Sequence, residues 1–183
     1  MSLKDMTTVD YLVVFFSGVG ATVFGFLLTM VWEWRKSKKQ EKSSLATIVH
    51  ELETNALEME DNKQTILQEI KALESQKIVV KPLLKMNNDF PFFLNMNCPS
   101  LFKDQVNLLE EMRKISKITN EINETIQSRE SYRVNNGAMT NYENRIKIYD
   151  EILLRSILQL EKLMPDFVEE IKAHINKRNF RFV

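Results

Sequence analysis

Apolar residues are distributed along this chain in two ways. From Tyr11 to Trp32 no charged residue interrupts an apolar run, whereas from Leu45 onward apolar residues recur singly at helical spacing among polar ones. The first pattern predicts a helix of roughly 33 Å, enough to cross the ~30 Å hydrocarbon layer of a bilayer. Tyr11 at one end and Trp32 and Trp34 at the other suit the aromatic belts of membrane interfaces. A cleaved signal peptide is the competing reading. It calls for a basic start, a shorter apolar core and a small-residue cleavage site, and none is evident. The expected organisation is a short extracytoplasmic N-terminus (1–10), a transmembrane helix (11–32) and a cytosolic helical bundle (33–183).

The second pattern predicts long amphipathic helices. Between Glu33 and about Gln76 there is neither Pro nor Gly, and Leu45, Leu52, Met59, Ile66 and Leu73 recur every seven residues. Asn55 and Asn62 fall on the companion seam, where buried polar residues set register at a cost in stability. A second helix is expected from an N-cap at Ser100 to about Arg133, with Leu101, Leu108, Met112, Ile115, Ile122 and Ile126 as its seam. A third begins near Thr140 and carries Ile146, Leu153, Leu160 and Phe167, with Pro165 expected to kink it or to start a shorter fourth. The fold class is therefore all-α: a transmembrane helix continuing into an antiparallel helical bundle. Segment 77–99, "KIVVKPLLKMNNDFPFFLNMNCP", is too apolar for a solvated linker and too interrupted for one helix. It reads as a lid over the end of the bundle, or as a place where Phe90, Phe92 and Phe93 meet a neighbouring subunit.

Within the apolar run, "SGVGATVFG" (17–25) holds three of the chain's four glycines. On a helical wheel Ser17, Ala21, Gly25 and Thr29 form a ridge at four-residue spacing, with Gly18 and Thr22 beside it and Asp10 in the same sector. Val14, Leu28 and Trp32 interrupt the ridge. The opposite face carries Leu12, Val13, Phe16, Val19, Val23, Phe26, Leu27 and Met30, with Gly20 the one small residue. A lone anchor gains nothing from this segregation, whereas small-xxx-small ridges let helices approach closely. Self-association is expected. A ring of more than two copies would also bring Ser17, Thr22 and Thr29 toward an axis, which permits a pore without requiring one.

Charge fixes the expected orientation. Arg35, Lys36, Lys38, Lys39 and Lys42 follow the apolar run, and basic residues stay cytoplasmic, so residues 35–183 are expected inside. This cluster is secondarily a lipid or partner site. Overall, 25 basic and 25 acidic residues cancel, which argues against a general polyanion binder such as a DNA-binding protein. A single cysteine, Cys98, suits a reducing compartment. No glycine-rich phosphate loop occurs. His50 opens "HELET", but Thr54 stands where a zincin needs its second histidine, and two histidines with one cysteine make no convincing zinc site. No catalytic, metal or cofactor residues are assigned. The C-terminal Lys177, Arg178, Phe180 and Arg181 complement a helix dipole, and secondarily offer an RNA, nucleotide or protein contact.

One membrane helix, a basic juxtamembrane patch and a helical bundle in 183 residues resemble the Csx family of small membrane accessory proteins of type VI-B CRISPR systems. The resemblance covers the organisation of the whole chain. It implies a divergent HEPN-like bundle, a homo-oligomer in the bacterial inner membrane, and an RNA-guided RNase effector, or its RNA products, as partner. It also implies a pore that enhances antiviral defence. HEPN ribonucleases need an arginine four to six residues before a histidine. Here Arg35 lies fifteen positions before His50, and Arg155 nineteen before His174. The expected protein is therefore not an enzyme. A non-conducting membrane adaptor and, more weakly, a degenerate HEPN ribonuclease are the alternatives.

Overall fold

The computed structural model describes residues 8–75, 80–98, 106–136 and 141–179. Among them are four helices and no strand: α1 (Thr8–Glu74), α2 (Phe90–Asn97), α3 (Val106–Asn136) and α4 (Tyr142–Asn179). The chain divides into two compact units, Met1–Lys42 and Ser43–Val183. This boundary leaves the basic stretch 35–42 with the apolar run.

In the first unit residues 15–32 are all solvent-exposed, and the hydropathic window, averaging 1.7, has no buried residue; further along, Lys38 is half-buried and Glu41 buried. One helix of the chain, near its N-terminus, is thus long and apolar enough to cross a membrane.

Among the described residues the second unit buries the seams expected from the sequence; Leu101, placed on the second of them, lies outside the described residues. Leu45, Leu52, Met59 and Ile66 from α1 share one core with Leu108, Met112, Ile115, Ile122 and Ile126 from α3 and Leu153, Leu160 and Phe167 from α4, while Leu73 and Ile146 pack in a second cluster with Tyr142. Each such side chain contributes roughly 1.5–3 kcal/mol on leaving water. The α1–α4 direction is antiparallel, fixed by Glu53–Lys172 (3.1 Å), Lys63–Glu161 (2.7 Å) and Glu74–Lys147 (3.7 Å). Asn141, in the left-handed region at φ 76°, precedes α4 and accepts a bond from Arg145 N–H (3.1 Å). Asparagine tolerates that conformation better than most residues. Pro165 neither ends α4 nor starts another helix. It lies on the exposed side of α4, where its missing N–H costs the helix the bond to the Glu161 carbonyl without disturbing the core.

Two expectations change. α4 is antiparallel to both other long helices, but α1 and α3 run parallel: Asn55, Asn62 and Glu69 reach the same stretch of chain, in the same order, as Ser116, Asn123 and Arg129. A return crossing must therefore join them, and it is not a lid over the bundle end. Residues 81–90 run the length of the bundle between α1 and α3, from Glu69 and Arg129 at Lys81 to Glu51 at Phe90. Glu51 and Glu69 are roughly 27 Å apart along α1, and nine extended steps cover about 30 Å, so this segment has to be nearly straight. The N-cap expected at Ser100 lies outside the described residues.

Candidate functional site

The hydroxyls of the apolar helix bond to its glycines. Thr22 Oγ1 donates to the Gly18 carbonyl and Thr29 Oγ1 to the Gly25 carbonyl, each at 2.9 Å. The two Gly–Thr pairs are seven residues apart and so lie on nearly one face. A Cβ built on Gly18, Gly20 or Gly25 meets nothing within 4 Å. None of these glycines is therefore required by the packing of a single copy. Ser17 and Ala21 are exposed with them. Beyond the run, Lys36 Nζ sits 5.3 Å from the centre of the Trp32 ring, and Lys38 pairs with the buried Glu41 at 3.3 Å. Arg35, Lys36, Lys39 and Lys42 are exposed.

The C-terminal basic residues divide. Lys177 and Arg178 belong to the last turn of α4, while Phe180 and Arg181 lie outside the described residues. His50 is exposed on α1, and Cys98 is buried in the core. No group of three or more His, Cys, Asp or Glu that could hold a metal occurs among the described residues.

Sequence reasoning missed the polar interior of the bundle. Asn62 Nδ2 donates to Leu84 O (2.7 Å), and its Oδ1 accepts from Leu84 N–H (2.8 Å). Asn55 does the same to Asn87 (2.6 and 2.9 Å), and Asn123, from α3, to Met86 (2.8 and 2.9 Å). Each carboxamide thus stands in for the backbone of a neighbouring β-strand. Asn88 adds bonds to the Ser116 carbonyl and hydroxyl (both 3.1 Å) and to Asn120 (2.8 Å). The asparagines do set register, but the register is that of a return strap and not of one helix against another.

At the start of this strap lies a buried ionic node. The guanidinium of Arg129 pairs with Asp150 through Nε (2.7 Å), with Glu69, and with Glu130 (2.9 Å), and it donates to the Lys81 carbonyl (3.0 Å). Glu69 also accepts the Lys81 N–H. Arg129, Glu69 and Asp150 are all buried, so four chain segments converge on one guanidinium. Burial pushes Asp150 up from 3.8 to about 6 and raises Glu69, in both cases against the pull of Arg129. Burial opposes the Arg129 charge, but Asp150 and Glu69 outweigh it and raise its pKa. Asp150 Oδ2 is buried and finds no hydrogen-bond partner among the described residues. The signal was present in the sequence: Asn55, Asn62 and Glu69 step by seven, and Arg129 continues the Leu108, Ile115, Ile122 series. A charge on an apolar seam requires a buried partner.

No family model matches the chain, and no curated protein or solved structure matches it.

Proposed function

We propose that this protein is a homo-oligomeric membrane effector. In this reading the apolar helix spans the bacterial inner membrane with its N-terminus outside and its bundle in the cytoplasm. Helices associate through Ser17, Gly18, Ala21, Thr22, Gly25 and Thr29, and a ring of more than two copies permeabilises or depolarises the membrane. The observation that carries it is the open glycine face: three glycines on an exposed stretch of helix, none needed by the packing of one copy. The resemblance to the type VI-B accessory family supports the rest: enhancement of antiviral immunity, a HEPN-like bundle that has no catalytic role, and an RNA-guided RNase or its RNA products as trigger.

A non-conducting adaptor is the second reading, favoured by the threonines. Their hydroxyl protons are committed to the Gly18 and Gly25 carbonyls, as they are in a helix that only packs. Mass measurement in mild detergent and conductance across planar bilayers separate the two. We expect an assembly larger than a dimer that passes ions, and Gly25→Leu to lower the mass and abolish the current. Leu is favourable in lipid and a Cβ at Gly25 meets nothing within 4 Å, so insertion and folding are expected to survive. A wild-type monomer that passes no current overturns the proposal. An oligomer that passes none leaves the adaptor.

A further inference from the structure

The strap is held in two chemically different ways. Along its middle the holders are carboxamides, which do not titrate: Asn62 binds Leu84, Asn123 binds Met86 and Asn55 binds Asn87. At its start they are ions. Lys81 gives its N–H to Glu69, and its carbonyl accepts from Arg129 at 3.0 Å. Pro82, which follows, has no N–H to offer. Lys81 and Pro82 are exposed, and Lys81 Nζ reaches only Gln68 (3.4 Å) at the surface. Between the half-buried Val80 and the buried Leu83, the backbone is therefore fastened by two bonds to ionised groups.

Those ions do not balance. Arg129 brings one positive charge against the carboxylates of Glu69, Glu130 and Asp150. Glu130 is half-buried and shares its charge with Arg133 (2.7 Å). Tyr142, buried on α4, lies in the field of Arg133, Arg129, Glu130 and Glu69, and the Lys147–Glu74 pair (3.7 Å) stays at the surface. Asp150 itself is faced by Arg129 from α3 and by Glu69 from α1. Its Oδ1 takes the Arg129 Nε–H, whereas its buried Oδ2 has no hydrogen-bond partner among the described residues. A buried carboxylate with one oxygen unpartnered is costly to ionise, and either a proton or hydration relieves that cost. Three walls of the node are helices joined by apolar seams. The fourth is the start of the strap, so hydration comes most cheaply where the strap lifts.

We propose that the node is a proton-operated latch on the start of the strap. With Asp150 protonated, Arg129 and Glu69 hold Lys81 in place. With Asp150 ionised, residues 80–83 lift more readily and water reaches the carboxylate, while the carboxamide clamps on Met86 and Asn87 stay made. The direction follows from proton linkage. Asp150 titrates at about 6 when buried and returns toward 3.8 when hydrated. Closure is therefore favoured at low pH, and the advantage is lost as pH rises through 6. Glu69, also raised by burial, acts in the same direction. For Asp150 alone, these two values make the open fraction grow roughly tenfold between pH 5 and pH 7 and level off above that. The latch belongs to the bundle and does not depend on what residues 11–32 do.

Hydrogen exchange resolved to single amides tests this on the full chain in detergent, with rates corrected for the intrinsic pH dependence of exchange. We expect the Lys81 amide to be less protected than the core amides of α4, and to lose protection roughly tenfold from pH 5 to pH 7 with no further loss at pH 8. That loss should be insensitive to low urea, as local openings are. The Met86 and Asn87 amides should stay more protected than Lys81 at pH 7. In Asp150→Asn the step at Lys81 should vanish. A wild-type Lys81 amide with no step overturns the proposal, whether or not the variant folds. So does one that matches the α4 core in protection and in its response to urea, because the node then opens only with the whole bundle. A step that persists in folded Asp150→Asn overturns the assignment to this carboxylate.

Discussion

Arg129 has three carboxylates and one backbone carbonyl around it, and its environment makes the bundle sensitive to pH. Taking Asp150 out of water disfavours its charge more than Arg129 favours it, so its folded pKa lies near 6, above its ordinary 3.8. The folded chain therefore binds this proton more tightly than the unfolded chain does. The resulting stability is fully present below about pH 4 and is lost as pH rises through 6. Glu69, also raised by burial, acts in the same direction. Chemical unfolding of the bundle, followed by circular dichroism in detergent, should show stability falling from pH 5 to pH 7 by on the order of 1–3 kcal/mol. Asp150→Asn keeps an oxygen for Arg129 Nε–H and removes the titration, so most of that slope should vanish. An unchanged slope in the variant would assign the proton to another group. Deleting Arg129 is the harsher change, because it strands buried carboxylates.

At the scale of elements, the long helices were legible because period and partner agree. Every seven-residue seam position from Leu45 to Leu73 became core, as did Ile146 to Phe167. The return crossing was not legible, because its partners are side chains and not a strand. Lys81, Leu84, Met86 and Asn87 each have both N–H and C=O bonded by residues of α1 or α3, so no residue-to-residue ladder appears in the local sequence. Helix direction was hidden for the same reason. Short turns imply antiparallel neighbours, whereas an extended strap lets α1 and α3 run parallel. The clamp can be weakened one amide at a time. Asn62→Ala strips both bonds from Leu84 and should cost about 1–3 kcal/mol if those groups stay dry. Hydrogen exchange locates the effect: amides of residues 83–88 should lose protection while those of α4 keep theirs. Uniform deprotection would mean that Asn62 supports the whole bundle and not the strap in particular.

At the scale of the whole molecule, the apolar run and the bundle each make sense alone, and the proposed function depends on whether the run does more than a membrane anchor would. The sequence displayed the segregation of small and bulky residues. It could not show that the glycines meet nothing within one copy or that the threonines bond to them, since both are properties of a folded helix. These facts make the run replaceable as far as the monomer is concerned. Exchanging residues 11–32 for a Leu-rich helix of equal length, with Arg35, Lys36, Lys38, Lys39 and Lys42 retained, should leave insertion, orientation and bundle stability unchanged. If the Gly18–Thr22 and Gly25–Thr29 face assembles the effector, the exchange lowers the detergent-solubilised mass toward that of one chain, and the bilayer current disappears with it. The decisive measurement is the pairing of mass with current across a graded set, from Gly25→Leu to the full exchange. If both fall together, assembly and conduction belong to one helix face. A variant that keeps its mass but loses its current would place association in the bundle and leave the apolar helix as lining alone.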